Sequence, residues 1–120
     1  LKSKGKSIIV CGDVNTAHKS IDLARPKPNE NTSGFLPIER EWVSKFIDHG
    51  YIDTFRYIHK DKPDSYSWWS YRANARANNV GWRIDYYYVS EDLKEYISDA
   101  KILSDVFGSD HCPILLEMEI

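Results

Sequence analysis

A chain of 120 residues holds one domain and little more, because single cores are commonly built from about 100–150 residues. Hydrophobic residues make up 42% and charged residues 28%, enough apolar surface to offset the entropy of ordering, which excludes a disordered chain. Sixteen Lys+Arg against eighteen Asp+Glu give a net charge of -2, so any nucleic-acid partner has to be gripped by a local patch, and no apolar run approaches the roughly 20 residues of a membrane span.

The chain opens Leu1-Lys2-Ser3-Lys4-Gly5-Lys6 and its one methionine is Met118. A piece of a longer polypeptide is therefore expected, in which the missing signal-peptide pattern carries little meaning. Ile8-Ile9-Val10-Cys11 is a β-branched run stopped by Gly12, the pattern of a buried strand. The stretch 13–36 has no sustained period and holds Pro26, Pro28, Asn29, Asn31, Ser33 and Gly34, so a long loop is expected, and a loop of that length in a compact domain has a function. From Pro37 the spacing turns helical. Ile38, Trp42 and Phe46 lie four apart, with Val43 and Ile47 predicted on the same buried face. Pro37 suits the first helical position and Gly50 the position just past the end.

Asp53 to Tyr57 reads as a short helical turn and Lys60 to Asp64 as a polar loop. Trp82 to Val89 is aromatic and β-branched, and reads as one central strand with Asp85, Tyr87 and Val89 on one face and Ile84, Tyr86 and Tyr88 on the other. Ser90 is placed to cap a helix beginning Glu91-Asp92-Leu93. Ala100 to Leu103 suggests a further strand. Pro113 to Ile120 suggests the last, with Ile114, Leu116, Met118 and Ile120 on one face. About five strands and two or three helices make an α/β arrangement. Cys11 and Cys112 are too few for a disulfide scaffold and lack zinc-ligand spacing, so two buried free thiols in a reducing compartment are expected.

Four constellations carry chemistry. Gly12-Asp13-Val14-Asn15 follows a hydrophobic strand, and a carboxylate and an amide two residues apart can converge on a phosphate and its metal, although the same residues suit any turn. Gly108-Ser109-Asp110-His111 leads into the last strand and offers a carboxylate beside an imidazole, or simply a polar turn. Asp85, inside the most aromatic strand, needs a partner. Arg83 or Arg76 would make it a structural ion pair, whereas His111 would make it a residue that fixes an imidazole tautomer and raises its pKa.

The fourth is the segment 67–83, seventeen residues with three arginines and no acid. Its arginine interleaved with tryptophan, tyrosine and asparagine suits phosphates, sugars and exposed bases, or an aromatic core with solvated arginines. His18 is expected to anchor the long loop, and His49 and His59 to lie at the surface.

Taken in order, Val10-Cys-Gly-Asp-Val-Asn-Thr-Ala-His18, Ile21-Asp22-Leu23, Gly34-Phe35, Arg40-Glu41, Asp53-Thr-Phe-Arg56, Ala75-Arg-Ala-Asn-Asn-Val-Gly-Trp-Arg-Ile-Asp-Tyr86 and Ser109-Asp-His-Cys-Pro113 closely resemble exonuclease III-type abasic-site endonucleases of the endonuclease/exonuclease/phosphatase superfamily. The resemblance runs from about Ile8 to the C-terminus. It implies half of a four-layer α/β/β/α sandwich, with one mixed, mostly antiparallel sheet and helices on one face. Residues 1–120 would be the C-terminal half, and the N-terminal half, with a glutamate metal ligand and a catalytic tyrosine, would be absent.

The implied activity is metal-dependent hydrolysis of DNA 5′ to abasic sites, with 3′–5′ exonuclease or 3′-end trimming, in a parent protein of the cytoplasm. The piece alone would be close to inactive. By the same resemblance Asp13, Asn15, Asp85 and His111 are catalytic, and Asp13, Asn15, Asp110 and His111 serve Mg²⁺ or Mn²⁺. Arg72, Asn74, Arg76 and Asn79 contact DNA, while Trp68, Trp82 and Ile84 form the pocket for a flipped-out sugar. The partner would be double-stranded DNA with abasic sites or 3′ ends, not a membrane. Half a sandwich also exposes a sheet face through which the chain would self-associate. Two rivals remain: a phosphoinositide or sphingolipid phosphoesterase of the same fold, and a non-catalytic DNA-binding half-domain.

Overall fold

The computed structural model describes residues 7–72 and 74–119. Its strands are β1 (Ile9–Asp13), β2 (Tyr51–Asp53), β3 (Trp68–Trp69), β4 (Gly81–Trp82), β5 (Asp85–Ser90), β6 (Ile97–Ile102) and β7 (Ile114–Met118), and its α-helices are α1 (Pro37–Asp48) and α2 (Thr54–Ile58). The class is α/β. The strands pair antiparallel in three sheets, β1-β5-β2, β3-β4 and β6-β7. Ile120, expected at the end of the last strand, lies outside the described residues.

Helix α1 has the expected ends, with Pro37 in its first turn and Gly50 at φ 95 just past its last, a backbone region that glycine enters without a Cβ penalty. Its buried side differs from the expected one. Val43 is buried against Tyr86 and Tyr88, with Phe46 and Ile47 packed around them, whereas Ile38 and Trp42 are 74% and 61% exposed. The first turn faces the long loop through its polar side chains, Glu39 accepting from Gly34 and Leu36, and Arg40 donating to the His18 carbonyl. Trp42 only stacks on Phe46, 5.8 Å between centroids.

The segment expected as one strand from Trp82 to Val89 is broken at Arg83 and Ile84. There the Arg83 amide leaves the ladder to bond the Asp22 carbonyl at 2.7 Å, and the Ile84 carbonyl accepts from Val14 at 3.0 Å. The long loop fills this gap. Ala24 bonds Gly81, Leu23 bridges Trp82, and the Tyr86 hydroxyl donates to the carbonyls of Thr16 and Arg83. Burial pushes that phenol well above the usual tyrosine range, so it stays a neutral donor.

Beneath the break lies a charged cluster that the sequence did not announce. Arg83, 1% exposed, donates to Asp22 at 2.8 Å and to Asp53 at 3.1 and 2.5 Å, and Arg56 reaches Asp22 at 2.7 Å. Burial disfavours both charges, yet the Arg83 charge and hydrogen bonds hold the Asp22 carboxyl below its usual range, and Asp53, with Asp22, holds Arg83 above its own. Arg83 is therefore neither a partner of Asp85 nor a solvated arginine.

Smaller differences follow from local partners. Residues 91–96 form a 3-10 helix whose preceding Ser90 makes no side-chain cap, because its hydroxyl accepts from Ile8 instead. The next strand begins at Ile97, earlier than Ala100, once its pairing with β7 is included. Cys112 is buried but Cys11 is exposed on β1, whose residues are exposed along the whole strand. His49 is exposed. His59 is half-buried, its Nε2 2.9 Å from the Ala100 carbonyl oxygen. His18 does anchor the long loop, its ring nitrogen 2.8 Å from Ser44 Oγ on α1. No helix among the described residues is long and apolar enough to cross a membrane.

Candidate active site

The register of β1 with β5 sets Asp13 opposite Asp85 at the end of the ladder, and residues opposite each other in an antiparallel pair share a face. A third group arrives from far along the chain. Trp68 of β3 bridges His111, which brings the imidazole over the two acids: Nδ1 is 2.8 Å from Asp85 Oδ2, and Nε2 is 3.7 Å from Asp13 Oδ2. Side-chain exposure is 13% for Asp85 against 31% for His111 and 38% for Asp13. The deepest carboxylate thus holds the inner ring nitrogen, while the outer nitrogen and Asp13 face solvent. Nδ1–H donating to Asp85 leaves Nε2 to take or give a proton outside.

Burial disfavours the charged imidazole, but the Asp85 hydrogen bond and the charges of Asp85, Asp13 and Asp110 outweigh it, so the His111 pKa lies above its usual value. Asp13, Asp85 and His111 together offer ligand atoms within 4.8 Å of one another, a group able to hold a metal ion. Asn15 sits at φ 54, a left-handed conformation that asparagine tolerates, and its amide N–H donates to Asp13 Oδ1 at 2.7 Å. In the side-chain orientation that satisfies both ends, Asn15 Nδ2 also donates to Asp13 Oδ1 and Oδ2 at 3.1 and 3.3 Å.

Asp110 lies apart from this trio. Its Oδ2 accepts from Trp68 Nε1 at 3.0 Å and its Oδ1 from Ser109 Oγ at 3.3 Å. The indole hydrogen bond first, and His111 after it, keep this half-buried carboxyl below its usual range. The Asp85–His111 pairing expected from the sequence is present, and Asp13 and Asn15 join it. Asp110 is tied to the aromatic wall next door.

That wall is built from Trp68 and Trp82, edge to face at 6.4 Å, packed on Ala17, Leu23, Phe35 and Ile84. Gly34 keeps the wall close, for at φ +100 a Cβ there would come within 2.8 Å of the Trp82 ring and 3.3 Å of the Asn15 carbonyl oxygen. Beyond the wall, Arg72 and Asn74 are exposed, while Ala73 between them lies outside the described residues.

Arg76 is half-buried and Asn79 exposed, yet both side chains bond the protein's own groups. Arg76 donates to the carbonyls of Ser104, Val106 and Ser109 and stacks between Trp69 and Phe107. Asn79 bonds Trp69 Nε1 and the Asp64 carbonyl. Arg76 therefore shapes the loop before His111, and Asn79 ties Trp69 to the polar loop at Asp64. Sequence reasoning missed Ser67, fully buried between the segments of Asp85 and His111. Its one visible signal is a hydroxyl standing alone between a tyrosine and two tryptophans.

Against known proteins, residues 1–111 match the model of the Endonuclease/Exonuclease/phosphatase family, and the chain belongs to that family. It is 55% identical over 115 residues to an exodeoxyribonuclease of Bacillus subtilis, covering 96% of this chain and 46% of that protein. It is 44% identical to the DNA repair nuclease APEX1 of Danio rerio, over 96% of this chain and 37% of that one. Among solved structures, the AP endonuclease LMAP of Leishmania major superposes with a TM-score of 0.89 at 36% identity, covering 93% of this chain and 35% of that one. The chain spans less than half the length of these relatives.

Proposed function

We propose that this chain is the C-terminal half of a metal-dependent nuclease of DNA repair, which hydrolyses the backbone 5′ to abasic sites and trims 3′ ends. The observation that carries this reading is the meeting of Asp13, Asp85 and His111 at one strand end, beside the apolar wall of Trp68, Trp82 and Ile84. Phosphodiester hydrolysis needs an oriented water, neutralisation of the charge that develops on phosphorus-bound oxygen, and help for the leaving oxygen. Asp13 orients the water or moves its proton. His111, biased to its charged form by Asp85, holds a phosphoryl oxygen through Nε2–H, and Asn15 donates a neutral hydrogen bond to the same group. A sugar without its base has no stacking or pairing to lose, so it enters the wall of Trp68, Trp82 and Ile84 at low cost, while Arg72 and Asn74 grip the flanking backbone.

The donor set fits a hard divalent cation in part. Asp13, Asn15 and His111 face the open side, but Asp110 is tied to Trp68 and Asp85 is spent on the imidazole, and Mg²⁺ or Mn²⁺ takes about six oxygens. A bound cation supplies charge neutralisation and a more acidic water. The remaining ligands belong to the other half of the parent, which stands against the open face. That face carries Ile9 at 48% and Leu115 at 37% exposure, with Cys11 between Ile9 and Asp13. Uncovered, it drives self-association and low solubility. A cytoplasmic site of action agrees with a reducing environment for the two thiols.

The test is incision of an abasic duplex by this chain alone and by a chain extended upstream. We expect the extended protein to cut several orders of magnitude faster. Equal rates would overturn the half-site reading, and turnover of inositol phospholipid with no cleavage of DNA would favour the lipid-directed rival.

A further inference from the structure

We propose that the Ser67 hydroxyl is a positioning group for the Asp85–His111 pair, an inference that rests on the nuclease reading for its kinetic arm and on geometry alone for the rest. Ser67 is fully buried, so it touches no substrate. All of its backbone is spent on the two segments that carry the pair: its N–H donates to the Trp82 carbonyl at 3.0 Å, and its carbonyl accepts from Cys112, the residue after His111, at 2.8 Å. Its Oγ then accepts from two consecutive amides, Ile84 N and Asp85 N, both at 3.1 Å.

The need for that oxygen comes from the break between β4 and β5. With Arg83 turned into the ion cluster, the chain leaves the β3–β4 ladder before Ile84, and no carbonyl of β3 meets the next two amides. An amide withdrawn from water without a partner is destabilising, and here there are two, one belonging to Asp85 itself. The hydroxyl replaces the missing ladder carbonyl and fixes the backbone from which the Asp85 carboxylate reaches His111. The same residue sets the spacing between the two segments, so the 2.8 Å contact of Asp85 with His111 is built on both sides from Ser67.

The experiment compares Ser67→Ala, Ser67→Cys and Ser67→Thr in the full-length nuclease, by steady-state kinetics on an abasic duplex and by amide hydrogen exchange. Removing the acceptor in Ser67→Ala is expected to lower kcat by about tenfold or more, since small misplacements of catalytic groups cost this much, with KM within about twofold because no DNA contact is lost. Exchange is expected to quicken at Ile84 and Asp85 while the β1–β5 amides stay protected. Ser67→Thr, which keeps the hydroxyl, is expected to recover most of kcat.

Wild-type kcat in Ser67→Ala would overturn the proposal, as would a fall in kcat matched by an equal rise in KM and by general loss of protection. Should the alanine variant not fold, Ser67→Cys decides. Similar in size and a weak acceptor, it is expected to lose kcat, and wild-type turnover in it would sink the idea. A wild-type protein that cuts no DNA would overturn the nuclease reading instead, and the exchange of the two amides would then decide the positioning role alone.

Discussion

Two groups of carboxylates and cations lie on either side of the β4–β5 break, and they are built to opposite rules. In the cluster of Arg83, Asp22, Asp53 and Arg56, each guanidinium meets carboxylate oxygens at 2.5–3.1 Å, and Arg83 and Asp22 are almost sealed from water. At the strand end, Asp85 is the one acid in close contact with His111, while Asp13 and the outer imidazole nitrogen remain part exposed with 3.7 Å between them. The first group is saturated, and its charges have no capacity left for a ligand. The second is left short of partners on one side. Charge placed for architecture is satisfied by the chain, and charge placed for chemistry is left for the substrate to complete.

The comparison predicts its largest effect in the sealed cluster. Arg83→Ala leaves two buried carboxylates facing each other with only Arg56 nearby, and losing one partner of a buried pair costs about 3–5 kcal/mol. A loss of that size in unfolding free energy, read from a lower urea midpoint at unchanged slope, is the expected result. A loss under about 1 kcal/mol would show that water reaches the cluster and that the contrast is false. His111→Ala is the matching cut on the open side. It is expected to lower turnover on an abasic duplex about a hundredfold or more, the usual weight of a general acid or base, with little change in DNA affinity or in the urea midpoint. Retained activity would return the chain to the class of DNA-binding half-domains.

The two sides were unequally legible in the sequence. The open site was readable because its parts are local signals: an Asp and an Asn after an apolar strand, an Asp–His pair before another, and an acid alone in an aromatic run. The sealed cluster was not, since Arg83 finds Asp22 and Asp53 at 61 and 30 residues' separation, and a period-two reading of 82–89 gives no sign that one side chain will turn inward and break the strand. The same blindness to distant partners misassigned α1, where four-residue spacing put Ile38 and Trp42 on the buried face but could not show that the first turn meets the long loop through Glu39 and Arg40. Arg76 and Asn79 carry the residue types of a DNA grip, and only the fold reveals that Arg76 bonds the loop leading to His111 and Asn79 bonds Trp69 and Asp64.

Acid and base sharpen the contrast further, because the two groups shift in opposite senses. The Asp22 carboxyl is held below its unfolded value of about 3.8, so its contribution is complete above that pH and is lost as pH falls through the folded value. His111 is held above 6.5, so its contribution is complete below that pH and is lost as pH rises through the folded value. Urea titrations across pH are therefore expected to show an acid limb that Arg83→Ala weakens and a shallower alkaline limb that Asp85→Asn flattens. One variant removing both limbs would mean that the two clusters are a single electrostatic unit.

The smallest effect concerns the two thiols, which divide along the same line. Cys112 follows His111 in the chain yet lies inside, its sulfur 3.8 Å from the Tyr66 carbonyl oxygen, and burial pushes its thiol up to about 11, so little of the reactive thiolate exists near neutral pH. Cys11 stands exposed on β1, two residues before Asp13 and opposite Tyr87. Replacing it with Ser is expected to change stability by less than about 0.5 kcal/mol, as for other exposed positions. A thiol reagent is expected to modify Cys11 quickly and Cys112 only on unfolding. In the protein extended upstream, the same reagent reads whether the open face is covered. Protection of Cys11 there, with rapid labelling in the present chain, is the outcome expected if the missing half packs beside the site. Equal labelling of Cys11 in both would place the proposed upstream half elsewhere and leave Asp13 and His111 without the further ligands proposed for their open side.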